Sequence, residues 1–320
     1  MKRSLLFLVA YFALSACSVD QFPYEIEEFS VPQGSYKCMV IGDWGRKANV
    51  NLKANAHVMN KLTCKFSTNT VITTGDNFYS NGVNSTNDPY WNISFEDVFN
   101  GECLLPIPWY PSLGNHDARG NTSAQISYSQ YSNRWNMPAT YYDWWTQEAD
   151  SVSIHFVAVD TSPFVEDYYN NPSNSNMEYH VSNADTARQL FWLDSVLASG
   201  NPDWLVVYGH HPVYAAKGRH GSTQELIDKF VPIFNNRGVD VYFCGHNHSL
   251  ELIKTETPTL YVTSGGGSDP QGKIENLSYN LFGVNEPGFV LSSFTRDSLQ
   301  IDFMSKKGQR LYSLASSRGL

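Results

Sequence analysis

The sequence predicts an α/β fold built on mixed sheets, and three observations carry that reading. From residue 36 onward, short apolar and β-branched runs alternate with amphipathic stretches, the pattern of parallel strands joined by helical crossovers. The tail drops its helices and leaves two successive strand-like runs joined by a turn, so pairing becomes antiparallel there. Five glycine-led polar motifs each follow a strand-like run directly.

Taken in order, the runs Cys38–Ile41, Val71–Thr74, Trp109–Leu113, Ser153–Val159, Trp204–Tyr208, Val239–Cys244 and Tyr261–Thr263 read as strands. Between them, Asn51–Phe66, Ala184–Ala198 and Thr223–Asn235 read as helices. Gly288–Phe294 and Leu299–Phe303 are the tail strands, with the turn at Arg296-Asp297. The Asn- and Tyr-rich stretch Asp167–His180 reads as one long loop, and no internal repeat is visible.

Composition narrows the class. At roughly 150 residues per domain, 320 residues allow one large domain or two small ones. Hydrophobic residues make up 42%, aromatic 14% and charged 17%, which excludes disorder and collagen-like repetition. Against 22 Lys and Arg stand 31 Asp and Glu, a net charge of -9 that opposes broad contact with a nucleic-acid backbone. Lys2 and Arg3 precede the apolar run Leu5–Leu14 and the small residues Ser15 and Ala16, which reads as a secretory signal over residues 1–17. Leu14-Ser15-Ala16-Cys17 also resembles a bacterial lipobox, so a secreted form and a lipoprotein anchored at Cys17 both stay open. No later segment reaches the ~20 apolar residues of a transmembrane helix. Residues 18–35, polar, acidic and carrying Pro23 and Pro32, read as a tether or an ordered edge ahead of a single domain at 36–320. Cys38, Cys64, Cys103 and Cys244 are widely spaced, and the sequence leaves free thiols and disulfides equally open.

The five motifs are Gly42-Asp43-Trp44-Gly45, Gly75-Asp76-Asn77-Phe78-Tyr79, Gly114-Asn115-His116-Asp117, Gly209-His210-His211-Pro212 and Gly245-His246-Asn247-His248. Loops at the carboxyl ends of strands converge on one cleft in open α/β sheets, and each glycine is read as the sharp turn that presents the next polar residue. Of nine histidines, His116, His210, His211, His220, His246 and His248 lie in or beside these loops, whereas His57, His155 and His180 fall in a helix, a strand and the long loop. Two Asp, one Asn, one Tyr and three His offer more donors than one tetrahedral ion needs, and fit two metals sharing a carboxylate.

These motifs resemble the metallophosphoesterases, and within them the purple acid phosphatases of the tartrate-resistant type. Where the wider superfamily has Asp-x-His, this chain has Asp43-Trp44-Gly45, and Tyr79 appears three residues after Asp76. An anionic phenolate in place of a neutral imidazole hardens the first site toward a ferric ion. The likeness runs from about Lys37 to Leu314 and includes Gly120-Asn121-Thr122-Ser123-Ala124-Gln125. It implies a four-layer sandwich, two mixed β-sheets flanked by helices, and a secreted acid phosphatase acting on small phosphate monoesters through a metal-bound hydroxide.

The resemblance further implies Fe3+ held by Asp43, Asp76, Tyr79 and His248, and Fe2+, Zn2+ or Mn2+ held by Asp76, Asn115, His210 and His246. His116 and His220 match the outer pair that contacts the phosphate and leaving group, His220 as the acid. Asp117 is read either as an orienter of His116 or as a turn cap. Departures are Ala118 after Asn115-His116-Asp117 and the absence of counterparts to the animal disulfide cysteines. Two alternatives remain at this stage: a phosphodiesterase or nucleotide-cleaving enzyme on the same scaffold, and an inactive surface interaction module.

Overall fold

A computed structural model describes residues 22–146, 152–170, 177–216 and 220–318. The signal segment and Cys17 lie outside them. The first half runs β1 (Tyr36–Ile41), α1 (Val50–Phe66), β2 (Thr70–Thr73), β3 (Trp109–Pro111), α2 (Thr122–Tyr128), β4 (Tyr142–Trp145) and β5 (Ile154–Ala158). Then follow α3 (Asp167–Asn170), α4 (Glu178–Ser182), α5 (Thr186–Leu197), β6 (Trp204–Tyr208), α6 (Gln224–Arg237) and β7 (Val241–Cys244). The remainder is all strand: β8 (Leu250–Lys254), β9 (Leu260–Ser264), β10 (Asn280–Val284), β11 (Gly288–Phe294), β12 (Ser298–Ser305) and β13 (Arg310–Ser317).

Two mixed sheets result, in the orders β13-β12-β11-β1-β2-β3 and β10-β8-β9-β7-β6-β5-β4. In the first, β1, β2 and β3 are parallel and β11, β12 and β13 add antiparallel. In the second, β5, β6, β7 and β9 form the parallel heart. Side chains alternate across this sheet with the period of two a strand imposes. Phe156, Val206, Tyr208, Val241 and Phe243 enter the core that also takes Cys38, Val40 and Leu291 of the first sheet. Val157, Leu205, Val207 and Tyr242 face the other way, onto Leu193 and Leu197 of α5 and Phe230 and Phe234 of α6. Both faces of these strands are covered, which is why they read as continuous apolar runs.

The helices begin and end where local chemistry dictates. Asn49 and Asp185 cap α1 and α5 by accepting the N–H groups of Leu52 and Arg188. Gly238, at φ 71°, closes α6 in the left-handed conformation that glycine tolerates best. Residues 22–35 lie against the body as an ordered edge. Phe22 is buried, Lys61 Nζ reaches the Tyr24 carbonyl at 2.7 Å, and the Glu27 N–H donates to the Gly308 carbonyl at 3.0 Å.

One feature differs from expectation, and one left open by the sequence is decided. The stretch expected as loop contains α3 and α4, which bury Tyr168, Met177 and Val181 against Ala118. Cys64, in the last turn of α1, is joined to Cys103, while Cys38 and Cys244 are buried free thiols. With its ends 39 positions apart, this bridge contributes about 4 kcal/mol by loop-closure entropy. Replacing both bridging cysteines by serine should lower unfolding stability by about 2–4 kcal/mol in a denaturant titration; an unchanged midpoint would show that the bridge restrains nothing the fold does not already hold.

Candidate metal centre

All five glycine-led loops leave the carboxyl ends of parallel strands, three from the first sheet and two from the second. Backbone bonds stitch the two edges together: Gly42 N–H donates to the Ser264 carbonyl at 2.7 Å, and Gly267 N–H to the Gly42 carbonyl at 3.1 Å. The glycines serve closeness more than turning. A Cβ at Gly42 would stand 2.1 Å from Thr74 Oγ1, one at Gly114 2.2 Å from the Asp76 nitrogen, and one at Gly245 2.5 Å from Asp43 Oδ2. Of the five leading glycines only Gly75 has a positive φ. The left-handed turns fall instead on Asp43 (57°), Asp76 (52°) and His246 (65°), at a cost on the order of 1–3 kcal/mol each. Gly45 explains the missing histidine of the superfamily pattern, because a Cβ there would lie 2.1 Å from the Asn77 carbonyl oxygen.

The seven expected donors meet. Tyr79 Oη lies 2.9 Å from Asp43 Oδ1 and 3.1 Å from His248 Nε2, which is itself 3.3 Å from Asp43 Oδ1. Beside this trio, His210 Nε2 lies 3.0 Å from Asn115 Oδ1, and His246 Nδ1 lies 3.2 Å from the same oxygen and 3.1 Å from His210 Nε2. Asp76 stands between the two sets: its Oδ1 is 3.5 Å from His210 Nε2, and Asp43, Asp76 and His210 offer atoms within 4.8 Å of one another. All seven are buried or nearly so.

Protons identify which atoms face inward. The Thr74 carbonyl accepts from His210 Nδ1 at 2.8 Å and the Asp269 carbonyl from His248 Nδ1 at 2.8 Å, so both rings turn bare Nε2 lone pairs to the centre. In the neutral ring His210 Nε2 and Asn115 Oδ1 are both acceptors, 3.0 Å apart. A cation relieves that opposition, and the mixed carboxylate, phenol, amide and imidazole set suits a pair of ions.

Charge follows the same logic. Burial pushes Asp76 up, but His210, His116 and the His116 N–H outweigh it and hold the carboxyl at about 2. Burial and the carboxylates of Asp43 and Asp76 drive the Tyr79 phenol well above its ordinary value, so only a strongly charged cation would make it a phenolate. Burial and the neighbouring histidines put His246 well below the ordinary imidazole range. For His248, burial pulls down and Asp43 pulls up, and the carboxylate prevails.

The outer residues take distinct places. His116 is half-buried, its ring 4.4 Å from that of Tyr79, with Nδ1 donating to the Ser80 carbonyl at 2.5 Å and Nε2 3.9 Å from Asp76 Oδ2. His220 is exposed at the rim, stacked on His246 with ring centres 4.0 Å apart. Asp117 is the turn cap. Its Oδ1 accepts from Phe78 N–H and Gln125 Nε2, and its Oδ2 from Asn77 and Gly114 N–H, at 2.9–3.1 Å.

Residues 36–250 match the family of calcineurin-like phosphoesterases. Purple acid phosphatase 17 of Arabidopsis thaliana is 33% identical over 100% of this chain and 97% of its own length. The chain belongs to the purple acid phosphatases. Tartrate-resistant acid phosphatase type 5 of Oryctolagus cuniculus is 34% identical over 86% of this chain and 88% of its own. Among solved structures, GAP50, the anchor in the inner membrane complex of Plasmodium, is similar with a TM-score of 0.76 and 26% identity, over 88% of this chain and 89% of that one.

This purple acid phosphatase also uses groups that lie outside the seven donors. His211 lies beside His210 and His246, yet both its ring nitrogens are engaged at 2.7 Å, Nδ1 with Thr161 Oγ1 and Nε2 with Tyr168 Oη. It is a strut under the donors rather than one of them. Arg46 sits 4.2 Å over the Tyr79 ring. The Thr74 and Asp269 carbonyls had no side-chain signal, since any residue supplies a carbonyl. Replacing Asp117 by Asn would aim an amide N–H2 at backbone donors. The variant should lose about 2–3 kcal/mol of stability and part of its metal, read by thermal melting and elemental analysis; full metal content at unchanged stability would contradict the cap.

Proposed function

We propose that this chain is a binuclear metal-dependent acid phosphatase that hydrolyses small phosphate monoesters outside the cytoplasm. The observation that carries the reading is the convergence of seven donors as two sets sharing Asp76. In it, Asp43, Asp76, Tyr79 and His248 hold ferric iron, and Asp76, Asn115, His210 and His246 hold ferrous iron, zinc or manganese. When bound, such a pair neutralises phosphate charge and acidifies a water. The chain's own residues do the rest.

Tyr79 fits the trivalent ion because two buried carboxylates oppose loss of its proton unless a high charge takes the proton's place. His116 has its Nδ1 fixed by the Ser80 carbonyl, which leaves Nε2 to meet a phosphate oxygen. Burial pulls His116 below its ordinary value, and Arg119, 3.2 Å away, adds to that pull. The imidazolium is therefore present on the acid side and lost as pH rises through its lowered pKa. His220, exposed at the rim, protonates the departing alkoxide.

Export rests on residues 1–17, read as a signal peptide, with a lipid on Cys17 as the anchored variant of the same route. The Cys64–Cys103 bridge supports an oxidising compartment. Among the described residues no helix is long and apolar enough to cross a membrane. A site kept only as a remnant, in the manner of an interaction module, gives no reason for seven donors and their carbonyl anchors to remain in place.

Three measurements test the reading. Protein purified without added metal should carry two metal equivalents, at least one of them iron, and a visible charge-transfer band that Tyr79→Phe abolishes while some activity survives; an iron-free preparation of full activity would sink it. Arg119→Gln should move the basic limb of the rate profile to higher pH, and a limb that stays in place would detach Arg119 from His116. His220→Asn should slow alkyl phosphates at least tenfold more than activated aryl phosphates, whereas equal losses would remove it as the acid.

A further inference from the structure

His220 reaches the centre from a loop outside the sheets, and the first question is what holds it there. Its backbone N–H donates to Asn247 Oδ1 at 2.9 Å. Asn247 stands between His246 and His248, so its side chain rises from the same four residues that supply two donors. That loop is rigidly set. Asn247 N–H donates to the Gly245 carbonyl at 2.7 Å, and its own carbonyl accepts from Ser249 N–H at 2.7 Å. Gly265 packs so tightly on that carbonyl that a Cβ would stand 2.0 Å from the oxygen.

Asn247 is fully buried, and its two amide atoms are unequal. Oδ1 has the His220 bond, while Nδ2 has no partner among the described residues. Burying an unsatisfied amide N–H2 costs on the order of 1–3 kcal/mol, a cost a residue chosen for packing alone would avoid. Apolar side chains of similar size carry no such cost, but they cannot accept the His220 N–H. Other bonds among the described residues hold this loop away from His220 itself: Ala216 N–H donates to Glu251 Oε2 at 2.7 Å, Ala215 N–H to Ser222 Oγ at 3.0 Å, and Glu275 N–H to the Ala216 carbonyl at 3.0 Å.

We propose that Asn247 is a positioning residue: by accepting the His220 N–H from within the donor loop, it fixes the imidazole against His246 at the distance the leaving-group oxygen requires. This rests on His220 being the acid. The bond ties the acid's backbone to the loop that carries His246 and His248, so acid and centre keep one frame without a contact between His220 and any ion. Positional errors near 1 Å cost about a hundredfold in rate. Leaving-group protonation is the step that suffers, because the attack on phosphorus does not use His220.

The test compares Asn247→Leu, Asn247→Asp, His220→Asn and the double variant Asn247→Leu/His220→Asn. Each is assayed on an activated aryl phosphate and on an alkyl phosphate, with elemental analysis of every preparation. Expected for Asn247→Leu is full metal content, aryl turnover within about threefold of the parent and alkyl turnover lowered at least tenfold. Asn247→Asp keeps the acceptor and exchanges the unpartnered N–H2 for a second carboxyl oxygen, so its alkyl rate should stay within a few-fold of the parent. The double variant should be no slower on the alkyl ester than His220→Asn alone, as for two changes in one interaction. Loss of metal in Asn247→Leu, equal losses on both esters, or additive losses in the double variant would each overturn the positioning role while leaving His220 as the acid. An unselective loss in His220→Asn itself would remove the acid and the proposal together.

Discussion

Everything in this molecule depends on how closely the carboxyl edges of two sheets approach each other. The strand ends at 42, 114, 245 and 265 pass neighbouring backbone and carboxylates with no room for a Cβ. That spacing lets a carboxylate from the first sheet accept a backbone N–H from the second, as Asp43 Oδ2 does from His246 at 2.8 Å. Sheet pairing, helix packing and the cysteine bridge all serve to hold this seam. The backbone strain at Asp43, Asp76 and His246 is tolerated because well-packed surroundings over-determine those residues.

The seam also solves an electrostatic problem. Buried carboxylates and imidazoles are costly unless paired, and here they are paired with one another and with backbone groups. Main-chain carbonyls take the outward protons of His210 and His248, and four donors hold Asp117, so the inward atoms are left as acceptors. An arrangement of acceptors facing acceptors is poor as a protein core and well suited to cations. Trp44, between Asp43 and Gly45, anchors the first loop by packing edge-on against Phe78, Phe99 and Trp109.

Much of this was legible in the chain. Trp204–Tyr208 and Gly288–Phe294 are strands to the residue, because uninterrupted apolar β-formers bounded by turn residues leave little choice. The donors were legible for a related reason: a strand end followed by glycine and a polar residue has one place to go. What escaped was whatever depends on partners distant in sequence. β4 is an aromatic Tyr-Asp-Trp-Trp run whose Trp144 stacks between Tyr110 and Phe156, and β13 is an edge strand in which Leu311, Tyr312 and Leu314, broken up by serines, are only partly buried against the core. The helices α3 and α4 are too short for periodicity to register, and owe their form to contacts such as Tyr168 with His211 and Tyr169 Oη with the Pro163 carbonyl. The glycines were expected to supply turns and instead supply clearance, a distinction that needs coordinates.

Four of the seven donors come from the first sheet and three from the second. Ion capture and cohesion of the two halves are therefore one thermodynamic quantity seen from two sides. A ligand at a thousand times its dissociation constant adds about 4 kcal/mol to a folded state that alone can bind it. The supply of such ions thus bears on how long the folded chain lasts as well as on its turnover. Deprived of those ions, the folded state would lose that increment and the chain would open to proteolysis more often, so an idle enzyme would also be a shorter-lived one.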